Sequence, residues 1–200
     1  YEPLNAWLTT QVGGRCVRLD VSREETFQNT RSRHPISFDA AAAVDGDMRL
    51  MARSCTAVSN QGGYASHGHS IVANAVTGFR QLYLDRIGHH STAYTVYTNR
   101  PAPGAMRGYG IPQCNFAVEC MMDDIAREKG WDPKAFRLAN LMPLGYVDPF
   151  NGITCHSTGL AECIEKGADF IGWAELREKY QNQSGPVRRG VGMACFSYKT

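Results

Sequence analysis

Residues 36–58, ISFDAAAAVDGDMRLMARSCTAV, carry the pattern that decides the fold. In the first half, apolar side chains alternate with polar or small ones, at Ile36, Phe38, Ala40, Ala42 and Val44. Such alternation is typical of a strand with one buried face. Asp45-Gly46 then predicts a hairpin turn, because both residue types tolerate positive φ. A second strand is expected over residues 50–58, so the whole segment predicts a β-hairpin.

Helices and further strands are predicted on both sides of this hairpin. Ser22 and Glu25 form a capping box, which predicts a helix over residues 23–29. The helix that follows Pro112 should expose Asn115 and Glu119 on its polar face. Other helices are expected at 3–12, 66–84, 133–142 and 159–173, and other strands at 16–21, 91–98 (buried) and 191–198.

These elements predict an α+β fold, with mixed sheets and packed helices. We expect one unit over residues 1–142, a linker over 143–158, and the start of a second, incomplete unit over 159–200.

The composition excludes several broad classes of protein. No apolar run is long enough to span a bilayer, and a net charge of +2 is too small for a broad nucleic-acid footprint. The seven cysteines are odd in number and contain no C-x-x-C pair. Reduced thiols in a cytoplasmic protein are therefore expected, rather than a disulfide framework.

Residues 103–113, PGAMRGYGIPQ, form a glycine-rich connection between the strand at 91–98 and the next helix. Its glycines allow positive φ or the close approach of a ligand. The helix N-terminus would direct unpaired N–H groups at the loop. One interpretation is a site for an anionic, planar ligand, and the other is a tight turn without a ligand. The spacing alone slightly favours the second.

Three segments of the chain resemble the molybdenum hydroxylases, the family of xanthine dehydrogenases and aldehyde oxidases. Residues 105–113, AMRGYGIPQ, are similar to the family's A-F-R-G-F-G-x-P-Q signature. Residues 22–25, SREE, and 31–35, RSRHP, resemble its S/D-R-x-E and R-H-P segment. Residues 132–140, DPKAFRLAN, resemble its D-P-x-x-x-R-x-x-N helix.

The resemblance covers essentially the whole chain and implies part of a molybdopterin-binding domain. Residues 65–70, 159–163 and 188–192 look most like the molybdenum-binding subunit of bacterial xanthine dehydrogenases. The first unit would be the C-terminal part of one molybdopterin-binding subdomain, and the second unit the start of another. Several cofactor segments of the family have no match here. We therefore expect an internal fragment that is inactive alone.

The resemblance implies roles for four residues. Arg33 matches the arginine that hydrogen-bonds the purine and offsets negative charge developing on its ring. Tyr109 matches the aromatic residue that stacks on the substrate, where the family more often has Phe. Arg107 and Ala105 match positions on the cofactor side. No residue matches the catalytic glutamate, and none is expected to ligate the metal directly.

The resemblance also implies the chemistry and partners of the complete enzyme. It would hydroxylate hypoxanthine and xanthine to urate with molybdopterin-bound molybdenum, the cytosine dinucleotide form being one option. 2Fe–2S clusters and FAD on partner domains or subunits would receive the electrons. An oligomer is expected, without nucleic acid or membrane as a partner. The alternatives are an aldehyde oxidase-type or other N-heterocycle hydroxylase, and a non-catalytic scaffold.

Two other groups of residues could suggest metal sites. His67 and His69, together with Cys155 and His156, include no complete set with zinc-like spacing. A structural role at the opening of a helix is favoured for the two histidines. The cysteines are expected to be core thiols rather than iron–sulfur ligands, because iron–sulfur ligation requires closely grouped cysteines.

Overall fold

The structure is a computed structural model that describes residues 1–198. Seven helices and three strands occur in that part of the chain. In chain order they are α1 Glu2–Gln11, α2 Arg23–Asn29, β1 Ile36–Val44, β2 Leu50–Gly62, α3 Gly68–Gly78, β3 Gly88–Tyr97, α4 Ile111–Lys129, α5 Pro133–Asn140, α6 Leu160–Ile171 and α7 Trp173–Lys179. The predicted α+β class is confirmed, and α7 is an additional helix.

The predicted hairpin is confirmed as β1 and β2, which pair antiparallel with Ala40 opposite Cys55. The turn is longer than the predicted Asp45-Gly46 pair. Carboxylate oxygen Oδ1 of Asp45 accepts hydrogen bonds from the backbone N–H groups of Asp47, at 2.9 Å, and Arg49, at 2.8 Å. The positive φ of this turn lies at Met48, with a value of 61°. Side-chain capping by Asp45 therefore shapes the turn.

β3 completes a mixed three-stranded sheet of order β1-β2-β3, pairing with β2 in parallel. The prediction of a buried strand at 91–98 was wrong in its burial, because β3 is an edge strand and most of its residues are exposed. Helices α3 and α4 cover one face of the sheet. The core between them includes Cys55, Ala57, Val72, Ala75, Phe79, Val118 and Met122.

Two predicted strands are absent. Residues 16–21 and 191–198 alternate in polarity, but neither forms a strand within the part of the chain that the structure describes. A strand needs a hydrogen-bonded neighbour as well as alternation. In the second segment, the backbone N–H of Cys195 instead donates to the Glu119 carboxylate at 2.9 Å.

The helix predicted at 66–84 ends earlier, at Gly78. The N–H groups of residues 79–81 still donate to carbonyls three or four residues back, but later donors pair with other segments. The N–H of Leu84 donates to the carbonyl of Asn140 at 2.9 Å, and the N–H of Ile87 donates to the carbonyl of Met51 at 2.7 Å. Tertiary hydrogen bonds therefore take the place of further helical turns.

Helix α4 is buried on more sides than predicted. Asn115 and Glu119 were expected on an exposed face, but both are buried. Glu119 accepts hydrogen bonds from the Tyr83 hydroxyl at 2.7 Å and from Nε of Arg137 at 2.8 Å. Arg137 lies on α5, whose buried side consists of Pro133, Phe136, Arg137 and Asn140.

The segment 143–158 is irregular, apart from a single β-bridge between Val147 and Thr154. An ion pair joins Nη1 of Arg80 to Asp148 at 2.7 Å. The proposed boundaries between the two units stay a prediction. None of the helices within residues 1–198 has the length and apolarity needed to cross a membrane.

Candidate functional site

The loop between β3 and α4 has an unusual backbone. Three consecutive residues have positive φ: Gly108 at 91°, Tyr109 at 46° and Gly110 at 96°. A Cβ at Gly110 would lie 2.3 Å from the carbonyl oxygen of Ile71, and one at Gly108 would lie 2.5 Å from the Pro112 ring. Glycine is therefore needed at both positions for conformation and for space. The prediction of positive φ in this loop is confirmed at these two glycines.

Arg33 lies against this loop. Its Nη2 donates to the carbonyl oxygen of Arg107 at 2.7 Å, and its Nη1 is 3.5 Å from Oε1 of Gln113. Gln113, in the first turn of α4, also donates to the carbonyl of His34 at 2.9 Å. The structure thus brings Arg33 and Arg107 together, although they are far apart in sequence.

The backbone just before Arg33 is hydrogen-bonded to the same loop. The N–H of Gly104 donates to the carbonyl of Ser32 at 3.0 Å. The guanidinium of Arg31 donates to the Ser66 hydroxyl, and most of the Arg31 residue is exposed. Arg31 is therefore a paired surface residue.

Ala105 and Arg107 lie on the open side of the loop, and both are exposed. Within residues 1–198, the backbone N–H groups of residues 105–107 donate no hydrogen bond. Three consecutive unpaired donors can bind an anion or a polar heterocycle edge. This backbone therefore fits a polar, negatively charged cofactor such as molybdopterin.

Tyr109 is half-buried and is contacted from α3 and the turn before it. Nδ2 of Asn74 donates to the Tyr109 carbonyl at 2.8 Å. Nδ1 of His67 lies 2.9 Å from the Tyr109 hydroxyl, and the two rings meet edge to face with centroids 6.1 Å apart. These contacts could not be predicted from local patterns, because they join residues 35 and 42 positions apart.

A buried polar layer lies beneath the loop. His34 is 2% exposed. Burial lowers the pKa of His34; the backbone of Gly104 opposes this effect and His67 adds to it. The imidazole of His34 is therefore neutral at pH 7. Gln61 is also buried, and its side chain packs directly against Gly68 at the start of α3.

The histidine and cysteine groups have separate locations. His67 is the residue that precedes the first turn of α3, as predicted. Within residues 1–198, no group of three or more His, Cys, Asp or Glu residues could hold a metal ion. Cys55, Cys114 and Cys195 are buried free thiols, but Cys16, Cys120 and Cys163 are exposed, so the expectation that the cysteines lie in the core was wrong for these three.

The family model for the molybdopterin cofactor-binding domain matches residues 1–141. The xanthine dehydrogenase molybdenum-binding subunit of Escherichia coli O157:H7 is 46% identical to this chain over 197 residues. These residues are 98% of this chain and 26% of that subunit. The chain therefore spans about a quarter of the length of this relative.

A second relative carries a different name. The nicotinate dehydrogenase large molybdopterin subunit of Eubacterium barkeri is 31% identical over 153 residues, which are 76% of this chain and 36% of that subunit. Among solved structures, the aldehyde oxidoreductase of Desulfovibrio gigas has a TM-score of 0.74 and 28% identity, covering 88% of this chain and 19% of that chain.

The family match covers most of the chain, including the sheet, helices α3 and α4 that cover it, and the glycine-rich loop. The chain belongs to the molybdenum hydroxylases, as a part of their molybdopterin cofactor-binding domain.

Proposed function

We propose that this chain forms one side of the active site of a xanthine dehydrogenase-type molybdenum hydroxylase that oxidises hypoxanthine and xanthine. In this proposal Arg33 and Tyr109 contact the purine, and Arg107 and Ala105 lie on the cofactor side. The contact of Arg33 with the Arg107 carbonyl carries the proposal, because it joins the proposed substrate-binding arginine to the proposed cofactor-binding loop.

The chemistry follows from the positions of these side chains. Arg33 has one guanidinium nitrogen fixed by the loop, so its charge is held in place without a large movement. A fixed positive charge stabilises the negative charge that develops when an electron-poor heterocycle is attacked. The half-buried ring of Tyr109 offers a flat face for stacking.

The loop backbone would hold the cofactor. The unpaired N–H groups of residues 105–107 would donate to its polar groups, and the small side chain of Ala105 leaves space beside them. When bound, the molybdenum cofactor supplies the two-electron oxidation. Iron–sulfur and FAD partners, an oligomeric assembly and the cytosine dinucleotide form belong to the same proposal.

Arg33→Gln in the complete enzyme tests this assignment. We expect kcat/KM for xanthine to fall about 100-fold or more, as when one preorganised charge-stabilising donor is removed. Thermal stability should change little, because Arg33 is only half-buried. Arg23→Gln, at an exposed position of α2, is the matched control. Unchanged kinetics with xanthine would refute the role of Arg33.

A related hydroxylase of another N-heterocycle is the second candidate. The nicotinate dehydrogenase subunit is similar over 76% of this chain, which favours this class among the alternatives. Measuring kcat/KM of the same enzyme for xanthine, nicotinate and an aldehyde separates the candidates. A preference for nicotinate or an aldehyde would replace the purine assignment.

A further inference from the structure

Two residues hold Tyr109 at its opposite ends. Asn74, on α3, donates to its carbonyl oxygen at 2.8 Å. His67, which precedes α3, lies with Nδ1 2.9 Å from its hydroxyl oxygen. The backbone of Tyr109 has a φ of 46°, a conformation that residues other than glycine seldom adopt. One element thus supports both the backbone and the side chain of this residue.

Packing alone does not fix the Tyr109 ring, because the residue is only half-buried. A partly exposed aromatic side chain can leave its rotamer at little cost. A hydrogen bond at the far end of the ring restricts that motion, and the edge-to-face contact with His67 adds a second restraint.

The imidazole of His67 has no role in starting α3. The backbone carbonyl of His67 accepts the hydrogen bond from the N–H of Ile71 at 2.9 Å, which any residue could do. As far as the described residues show, the side chain makes no capping hydrogen bond. Its hydrogen bond is directed at Tyr109 instead.

We propose that His67 is a positioning residue that holds the ring of Tyr109 in its substrate-stacking orientation through the Nδ1–hydroxyl hydrogen bond. This inference rests on the proposed function of Tyr109 as the purine-stacking residue. The hydroxyl of Tyr109 is the group that is missing in the Phe more common at this position in the family. In this arrangement it has a hydrogen-bond partner and a positioning function.

A double-mutant cycle in the complete enzyme tests the inference, with His67→Ala, Tyr109→Phe and the double variant. His67→Ala should raise KM for xanthine about fivefold, the usual effect of one neutral hydrogen bond, with kcat nearly unchanged. The dissociation constant of a non-oxidisable oxopurine should rise by about the same factor. In the Tyr109→Phe background, where only the edge-to-face ring contact can remain, His67→Ala should have a much smaller effect on both quantities.

Two further variants separate positioning from a structural role. His67→Asn, whose amide lies where Nδ1 lies in histidine, should restore most of the affinity. His69→Ala, at an exposed neighbouring position, should leave KM and the dissociation constant unchanged. A crystal structure of the His67→Ala enzyme should show the Tyr109 ring in more than one orientation.

Equal effects of His67→Ala with Tyr and with Phe at position 109 would overturn the inference. If Arg33→Gln is still defective in that case, the proposed function stands and only the positioning role fails. If the wild-type enzyme neither oxidises xanthine nor binds the oxopurine, both the proposed function and the inference fail.

Discussion

Gly108, Tyr109 and Gly110, the last residues of the loop between β3 and α4, turn the chain into α4 with three consecutive positive φ values. The turn directs Tyr109 toward His67 and brings Gly110 against the backbone of α3. The carbonyl oxygen of Ile71 occupies the space that a Cβ at Gly110 would need. The loop can therefore adopt this geometry only because Gly110 has no Cβ.

Gly110→Ala should destabilise the protein by about 2 kcal/mol or more, because it adds both backbone strain and a collision with Ile71. Thermal or denaturant unfolding measures the loss. Gly130→Ala is the control: Gly130 has a φ of 69°, but a Cβ there would meet nothing within 4 Å. Equal losses for the two variants would contradict the proposed collision.

At the scale of residues, the glycines locate the loop, and the resemblance to the molybdenum hydroxylases nominates Arg33, Arg107 and Tyr109. The contacts of His67 and Asn74 with Tyr109 could not be predicted. They depend on how α3 packs beside the loop, and a histidine before a helix is more often structural. The burial of Glu119 escaped prediction for the same reason, since its partners Tyr83 and Arg137 come from other segments.

At the scale of elements, a buried ion cluster ties β2 and β3 to the segment between α3 and β3. Nε of Arg53 on β2 lies 2.6 Å from Asp85, and Nδ1 of His89 on β3 lies 3.1 Å from the same carboxylate. Burial acts to raise the pKa of Asp85, but hydrogen bonds from His89 and Arg53 and the charge of Arg53 outweigh it and hold the pKa below its usual value.

The lowered pKa of Asp85 makes stability depend on pH in the acid range. The carboxylate of Asp85 binds a proton more readily in the unfolded state than in the folded state. Its contribution to the free energy of unfolding is therefore complete above the unfolded pKa and is lost as the pH falls below about 4. Asp85→Asn should lower stability at neutral pH by about 3–5 kcal/mol, because it leaves Arg53 buried without its counter-ion. The variant should also lose less stability on acidification.

Thermal unfolding between about pH 3 and 7 measures both effects. Asp20→Asn is the control, because Asp20 pairs with Arg18 in an exposed ion pair. An identical acid dependence for Asp85→Asn and the wild type would contradict the assignment to Asp85.

The elements that sequence predicted well are those with local signals. The hairpin has alternation on both strands, and α2 has its capping box, with the Glu25 N–H donating to Ser22. Residues 16–21 and 191–198 alternate as well, but the described structure provides no strand beside them. Alternation indicates an extended chain with two faces, whereas a strand also requires a partner.

At the scale of the whole molecule, one buried carboxylate joins distant parts of the chain. Glu119 on α4 binds Arg137 of α5, Tyr83 and the backbone of Cys195. The residues that follow α7 are thereby held against the same core that supports the loop. Residues 105–107 stay exposed, and this is where the proposed cofactor would lie.

We expect this open side to face the molybdenum cofactor in the complete enzyme. Anomalous diffraction at the molybdenum absorption edge, from crystals of the complete enzyme, tests it directly. We expect one anomalous peak per copy of this chain, next to the loop backbone at residues 105–107 and on the side where Arg33 and Tyr109 are proposed to meet the substrate. A peak on another face of the chain, distant from this loop, would contradict this placement of the cofactor.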